Sequence, residues 1–253
     1  MKLASLLFLC SNIFIRNNHN ILKIGHRGAR GLVAENTLAS FKKAIDSGAD
    51  IIEFDVQCCK SGEPVVIHDK RVDRTTNGLG LISEKTLKEL QELDAGNGKI
   101  IPTFKQALDC INRRAKVDIE LKGPGVVKPV AQIMRDYILE KDWKATDFLV
   151  SSFNHYWLQE FCDEFPNDPP KQLPKISIGA LHSGIPIGRA QFAENLDAHV
   201  AVMNHEFLDQ AFVDDAHSRG IAVFAYTVND PIDIERMKEI GVDGICSDYP
   251  DQL

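Results

Sequence analysis

The 253-residue sequence predicts an α/β barrel of eight parallel strands with helices between them, the TIM architecture. Three observations predict it. Short apolar runs alternate with amphipathic runs along the chain. Eight of the apolar runs have the length and composition of strands, and the chain length suits one barrel rather than two small domains. Polar residues with useful chemistry gather where those strands end, which is the end at which such barrels carry their sites.

The first strand is expected at residues 22–25. A helix over 37–47 places Leu38, Phe41, Ala44 and Ile45 on one stripe, with Asn36 as its expected N-cap and Gly48 closing it. The second strand spans 51–56. Helix 103–111 then leads to strand 116–121, helix 126–140 to strand 148–152, and helix 154–165 to strand 176–181. A short helix at 188–195 precedes strand 200–203. Helix 207–219, ended by Gly220, precedes strand 221–228. Helix 231–240 begins at Pro231, a favoured first position, and leads to the last strand at 244–246.

One further apolar run, 64–68, does not fit the alternation. Only "CKSGE" separates it from the second strand, too little for a crossover helix, so it should return antiparallel as a hairpin. Residues 70–101 then form an insertion rich in turns ("TTNGLG", "DAGNGK") with one helix near 84–93. An open doubly wound sheet is the alternative fold. The spacing of Gly25, Gly28 and Gly31 is GxxGxxG rather than the GxGxxG of a dinucleotide site.

Composition narrows the function. With 44% hydrophobic and 26% charged residues the chain reads as soluble and globular. A net charge of −7 argues against nucleic acid as a partner, while leaving room for a local pocket that takes one phosphate. The six cysteines are scattered with no CxxC pair, which argues against zinc and suits reduced thiols in a cytoplasmic protein. The apolar run from Leu3 to Cys10 is too short to span a membrane. Residues 1–20 are expected to form a loosely attached leader and 21–253 the barrel. Export is the alternative if the leader acts as a signal peptide, although no clean small-x-small cleavage site follows it. The chain ends at Leu253, soon after the last strand, so the closing edge of the barrel is expected to need another cover.

The strand ends supply the chemistry. The first delivers His26 and Arg27, followed by Arg30 and Gly31, which are expected to be loop residues without a role. The second carries Glu53 and Asp55, whose i, i+2 spacing puts both on one face with Phe54 on the other. The hairpin ends in His68 and Asp69. The strand "VDIELK" puts Asp118, Glu120 and Lys122 on one face, and the next strand ends in Ser151 and Ser152. Carboxylates converging at a barrel mouth need a cation. A hard divalent ion would suit oxygen-only ligands, and a salt-bridge network with Lys122, Arg27 or Arg30 would serve equally at this point. His26 and His68 each end a strand beside charged groups. Two imidazoles, a phosphate-binding arginine and a metal make a set able to cleave a phosphodiester, one imidazole taking a proton and the other giving one.

"GHRGARGLVAENT", "IIEFDVQ", "PVVIHD", "IELK", "SSF", "AYTVND" and "GVDGICSDYP" occur in that order over nearly the whole chain. Together they resemble the glycerophosphodiester phosphodiesterase family. The resemblance implies a TIM barrel with an insertion after the hairpin, and hydrolysis of a small-molecule glycerophosphodiester to sn-glycerol 3-phosphate and an alcohol. At matching positions it implies His26 and His68 as general acid and base, and Glu53, Asp55 and Glu120 as ligands of one divalent ion, Mg²⁺ or Ca²⁺. It implies Arg27 and Lys122 on the phosphate, and attack by the glycerol 2-hydroxyl to give a cyclic phosphate that water opens. Glu35 could touch the metal or the glycerol. Tyr226 stands where the family usually has Trp and should line the glycerol pocket. Cys58 to Gly62 replaces the usual Thr-x-Asp-Gly, a change in a hairpin turn. A lysophospholipase D acting on lipids is the alternative activity, with Leu32, Val33, Leu79 and Leu81 as the residues that could supply an apolar mouth. A non-catalytic phosphate-binding barrel is the remaining alternative, and no nucleic acid or membrane span is implied.

Overall fold

The computed structural model describes Phe14, residues 21–165 and residues 175–253. The rest of the expected leader lies outside the described residues. The strands are β1 (Leu22–Gly25), β2 (Ile51–Cys58), β3 (Pro64–Val66), β4 (Lys116–Leu121), β5 (Phe148–Ser152), β6 (Ser177–His182), β7 (Val200–Asn204), β8 (Ala222–Tyr226) and β9 (Gly244–Ser247). All except β3 pair in parallel, in the order β1-β9-β8-β7-β6-β5-β4-β2, and a β1–β2 pairing closes the barrel. The exception is β3, which returns antiparallel on β2 with Val56 opposite Val66, as the short "CKSGE" connection requires.

Helices α1 (Leu38–Asp46), α2 (Leu87–Gln91), α3 (Phe104–Ile111), α4 (Val127–Glu140), α5 (His155–Glu164), α6 (Gln191–Glu194), α7 (Gln210–Ser218) and α8 (Pro231–Glu239) connect the strands. Local chemistry sets their starts. Thr103 and Gln106 form a reciprocal capping box on α3, and the Asp230 side chain caps α8 one residue before Pro231. At α1 the cap is Thr37, whose hydroxyl accepts from the Ser40 N–H, and not Asn36 as the sequence suggests. The reason is a competing partner: the Asn36 amide donates to the buried carboxylate of Asp55 at 2.8 Å, which leaves the next hydroxyl to cap the helix. Among the described residues no helix is long and apolar enough to cross a membrane.

Strand alternation divides the core in two. Outward residues such as Phe54, Ile119 and Val150 join the helices in one large cluster, where the Phe54 ring lies between Phe41 and Phe104 at 5.3 and 6.0 Å. Inward residues Ile24, Ile51, Leu149, Leu181, Val200, Val202, Ala222 and Phe224 fill the barrel itself, and Phe14 packs edge-on against Phe224. The closing edge carries the turn Pro250–Gln252 against β1, with Leu253 packed on the outer cluster. The insertion has a small core of its own, in which Val72, Ile82, Leu90 and Ala95 pack on Val65 and Ile67 of the hairpin.

The end of the hairpin is fixed by one side chain. Gln57, on the inward face of β2 two residues after Asp55, places its amide nitrogen 3.1, 2.9 and 2.8 Å from the carbonyls of Ile67, His68 and Asp69. Two N–H groups thus hold three acceptors, and Gln57 is buried. A Gln57→Glu substitution would face carbonyl oxygens with a carboxylate and supply no donor. It should lower the unfolding free energy by about 2–3 kcal/mol in urea titration. A loss under about 0.5 kcal/mol would show that something else holds the hairpin end.

Candidate active site

The site begins with strand register. Glu53 on β2 stands opposite Asp118 on β4, and Asp55 opposite Glu120, so four inward carboxylates share two neighbouring strands. Ligand oxygens of Glu53, Asp55 and Glu120 lie within 4.8 Å of one another. Burial, followed by the charges of Asp55, Glu120 and Asp118, pushes Glu53 well above the usual carboxylate range. Burial and then Asp55 raise Glu120 to about 8, against the pull of Lys122. Burial lifts Asp118 to about 7, although the Ser151 hydroxyl donates to it at 2.7 Å.

Two cations and one amide answer this charge. The Arg27 backbone takes the left-handed conformation (φ +50°), which turns its N–H onto Glu53 at 2.7 Å. Its guanidinium stands 3.5 Å from Asp55 and donates to Glu35 at 2.7 Å. Lys122 Nζ donates to Glu120 at 2.8 Å and lies 3.6 Å from Asp55 Oδ1. Asn36 donates to Asp55 Oδ2. Asp55 Oδ1, though buried, makes no hydrogen bond. Ser40 of α1 holds the Arg27 turn by donating to its carbonyl at 2.9 Å and accepting from the Ala29 N–H at 2.8 Å. Gly28 is required here. Its φ is +82°, and a Cβ would come within 2.4 Å of the Ser40 hydroxyl. Gly28 thus lets helix α1 come close to the Arg27 turn.

The two histidines flank the carboxylates, each tied to its own acid. His26 Nδ1 is 2.6 Å from Asp248, and Arg27 Nε donates to His26 Nε2 at 3.2 Å. A guanidinium has only donors, so Nε2 is the unprotonated nitrogen and Nδ1 carries the proton that Asp248 accepts. Asn229 holds Asp248 in turn, through its amide at 3.0 Å and through its carbonyl, which accepts the Asp248 N–H at 2.9 Å. His68 Nδ1 is 2.5 Å from Asp69. Burial lowers the His68 pKa, outweighing the opposing effects of Asp55 and Asp69.

A cavity of about 280 Å³ opens over these groups. Seven of the eight residues expected from sequence to act in proton transfer, phosphate binding, metal binding or the glycerol pocket line it: His26, Arg27, Glu53, His68, Glu120, Lys122 and Tyr226. The eighth, Asp55, completes the carboxylate cluster at 1% exposure. The opposite wall is apolar and includes Leu181, Val202, Phe224 and Phe153. Tyr226 meets Phe153 edge-on at 5.9 Å, and its hydroxyl donates to the His182 carbonyl. Ser151 and Ser152 are both engaged, the first with Asp118 and the second with the Leu121 carbonyl.

Some residues stand closer to the site than the sequence suggests. Arg30 pairs with Glu35 at 3.1 Å and with Asp248 at 3.7 Å and lines the cavity. Gly31 is also constrained, since a Cβ there would fall 2.3 Å from the Tyr249 ring. Neither is loop filler. Asp248 and Asn229 follow the ends of β9 and β8, so the strand-end signal that singles out His26 applies to them as well. Arg74, near the start of the insertion, carries no such signal, yet it binds both Glu35 and Asp69.

The same arrangement of chain recurs in known proteins. The glycerophosphoryl diester phosphodiesterase family profile matches residues 26–252. A glycerophosphodiester phosphodiesterase of Caldanaerobacter subterraneus is 36% identical, over 92% of this chain and 96% of its own. One from Bacillus subtilis is 31% identical over 91% and 84%. The structure of an Oleispira antarctica phosphodiesterase in complex with the product sn-glycerol-3-phosphate superposes with a TM-score of 0.80 at 31% identity, covering 90% of this chain and 93% of that one. The family profile and these relatives agree, and the chain belongs to the glycerophosphoryl diester phosphodiesterase family.

Proposed function

We propose that this protein hydrolyses glycerophosphodiesters to sn-glycerol 3-phosphate and an alcohol, with a divalent cation held by Glu53, Asp55 and Glu120. One observation carries the reading: a buried carboxylate cluster lies between two imidazoles, each with its Nδ1 fixed by an acid. The product bound to the Oleispira antarctica neighbour supports the substrate class.

The residues present fit a cation. The donors are all oxygen, which favours Mg²⁺ or Ca²⁺ over softer ions. The buried Asp55 Oδ1 without a hydrogen bond is an acceptor suited to a metal. When bound, the ion supplies positive charge beside the phosphoryl oxygens. Arg27 and Lys122 hold the phosphate with their donors. One imidazole, neutral, takes the proton of the glycerol 2-hydroxyl as its oxygen bonds to phosphorus, and the other, in its protonated form, gives a proton to the departing alcohol oxygen as its bond breaks. Water then opens the cyclic phosphate with the proton roles reversed. Tyr226 and Phe153 form the apolar wall for the glycerol carbons. Residues 21–253 act as one catalytic barrel. A cytoplasmic setting suits the free thiols of Cys58, Cys59, Cys110, Cys162 and Cys246.

The direct test incubates the protein with glycerophosphocholine and glycerophosphoethanolamine, with and without EDTA, and couples glycerol 3-phosphate release to a dehydrogenase. Product that disappears with EDTA and returns with Mg²⁺ or Ca²⁺ is expected. No product with any divalent ion contradicts the proposal. In the same assay His26→Ala should cost about 10²–10⁴-fold in kcat, and a loss under tenfold would remove His26 from proton transfer.

Metal binding should depend on pH in a defined direction. Glu120 is raised to about 8, and burial pushes Glu53 in the same direction, so near pH 6 Glu120 holds a proton that an incoming cation must displace. Affinity should therefore rise from pH 6 to pH 8 and level off above. Calorimetry in two buffers of different ionisation enthalpy should show proton release at pH 7. An affinity that is flat across this range contradicts the assignment.

A further inference from the structure

The insertion between the hairpin and α3 reaches the site through one side chain. Arg74 Nε donates to Asp69 Oδ2 at 2.6 Å and Nη2 to Asp69 Oδ1 at 3.1 Å. Nη1 and Nη2 donate to the two carboxylate oxygens of Glu35 at 2.9 and 2.8 Å. Four of the five guanidinium N–H groups are thus spent on two carboxylates, each gripped through both oxygens. Both carboxylates lead to the site. Asp69 Oδ1 is the oxygen that accepts the His68 Nδ1 proton. Glu35 accepts from Arg27 and pairs with Arg30.

We propose that Arg74 is a positioning residue, through which the insertion sets the tautomer and orientation of His68. The claim rests on the reading of His68 as a proton-transfer group. The two histidine–acid pairs differ in what holds them. His26 and Asp248 are 13% and 15% exposed, and Asp248 is further held by Asn229. His68 and Asp69 are about twice as open, at 31% and 30%, so packing constrains them less. Arg74 supplies the missing constraint. Its hydrogen bond is also the main reason that Asp69 stays ionised far below neutral pH, with His68 adding to the effect. Asp69 is therefore a constant acceptor, and Arg74 fixes where its oxygens point. Exposed ion pairs usually contribute little. This one differs because Glu35, its other anchor, is only 10% exposed and is shared with Arg27. Burial acts to raise Glu35, but Arg74 and then Arg27 hold it at about 2.

The test compares Arg74→Met, Arg74→Lys, Asp69→Ala and the Arg74→Met/Asp69→Ala double variant, with Arg71→Met as control. Arg71 lies in the same insertion and pairs with Asp73. Turnover of glycerophosphoethanolamine is measured with saturating metal, and the His68 tautomer is read by ¹⁵N NMR of the full chain without substrate. Arg74→Met is expected to lower kcat about 10–100-fold, as loss of an orienting partner does elsewhere, with KM changed less than threefold. Arg74→Lys should recover little, because a point charge cannot fork onto two carboxylates. The double variant should be no slower than Asp69→Ala, His68 should lose its single Nδ1–H tautomer, and the control should match the parent.

The proposal is overturned if Arg74→Met keeps kcat within twofold. It is equally overturned if the two losses multiply, or if melting temperature falls while the His68 tautomer is unchanged. If the parent protein itself releases no glycerol 3-phosphate, the functional reading fails, and the tautomer measurement alone decides the positioning role.

Discussion

Two carboxylates on β2 stand in register with two on β4, inside a barrel where water is scarce. At an effective dielectric of about 20, unit charges at the 4.8 Å limit of this cluster repel by roughly 3 kcal/mol per pair. Much of the surrounding structure answers that repulsion. The left-handed Arg27, the lysine at the end of β4 and the Asn36 amide all aim donors at these oxygens. The Arg27 turn in turn needs Ser40 to hold it and Gly28 to let α1 come close. The compensation is incomplete: Glu53 and Glu120 keep raised pKa values, and one Asp55 oxygen has no donor. The proposed cation would complete the set, drawing on the same excess of acceptors that burdens the fold.

The barrel also explains why the two imidazoles come from distant parts of the chain. His26 follows β1 and His68 follows β3, and parallel closure with one antiparallel hairpin brings both strand ends to a single mouth. Each ring is oriented from behind by an acid, one from beyond β9 and one from the next residue. The apolar wall on β6 to β8 then leaves one side of the cavity without charge, which suits the carbon skeleton of a small polyol ester.

Period-two alternation makes the fold and the acidic strands legible in the sequence. "IIEFDV" and "VDIELK" can place their carboxylates only on one face, and the short "CKSGE" link leaves only an antiparallel return. The unread parts share a cause. Asn36 sits next to a helix start and would cap it on local chemistry alone, but a carboxylate 19 positions away takes its amide. Asp248, held by Asn229, meets His26 only once β9 closes on β1. Arg74 lies in a turn-rich insertion with no periodic signal, and tertiary packing brings it Glu35 from 39 positions away. Local pattern thus reveals what one strand presents and hides what two loops share.

The proposed cation site in the β2–β4 carboxylate cluster is open to measurement. A titration with Mn²⁺ followed by electron paramagnetic resonance tests it most directly, on the parent protein and on Asp55→Asn. Asp55 is chosen because it is the most buried of the three proposed ligands. One tightly bound Mn²⁺ per chain is expected, displaced by Mg²⁺ or Ca²⁺, with a loss of affinity of about 100-fold or more in the variant, since a buried charge-bearing ligand is removed. Equal stoichiometry and affinity in the two proteins would contradict it.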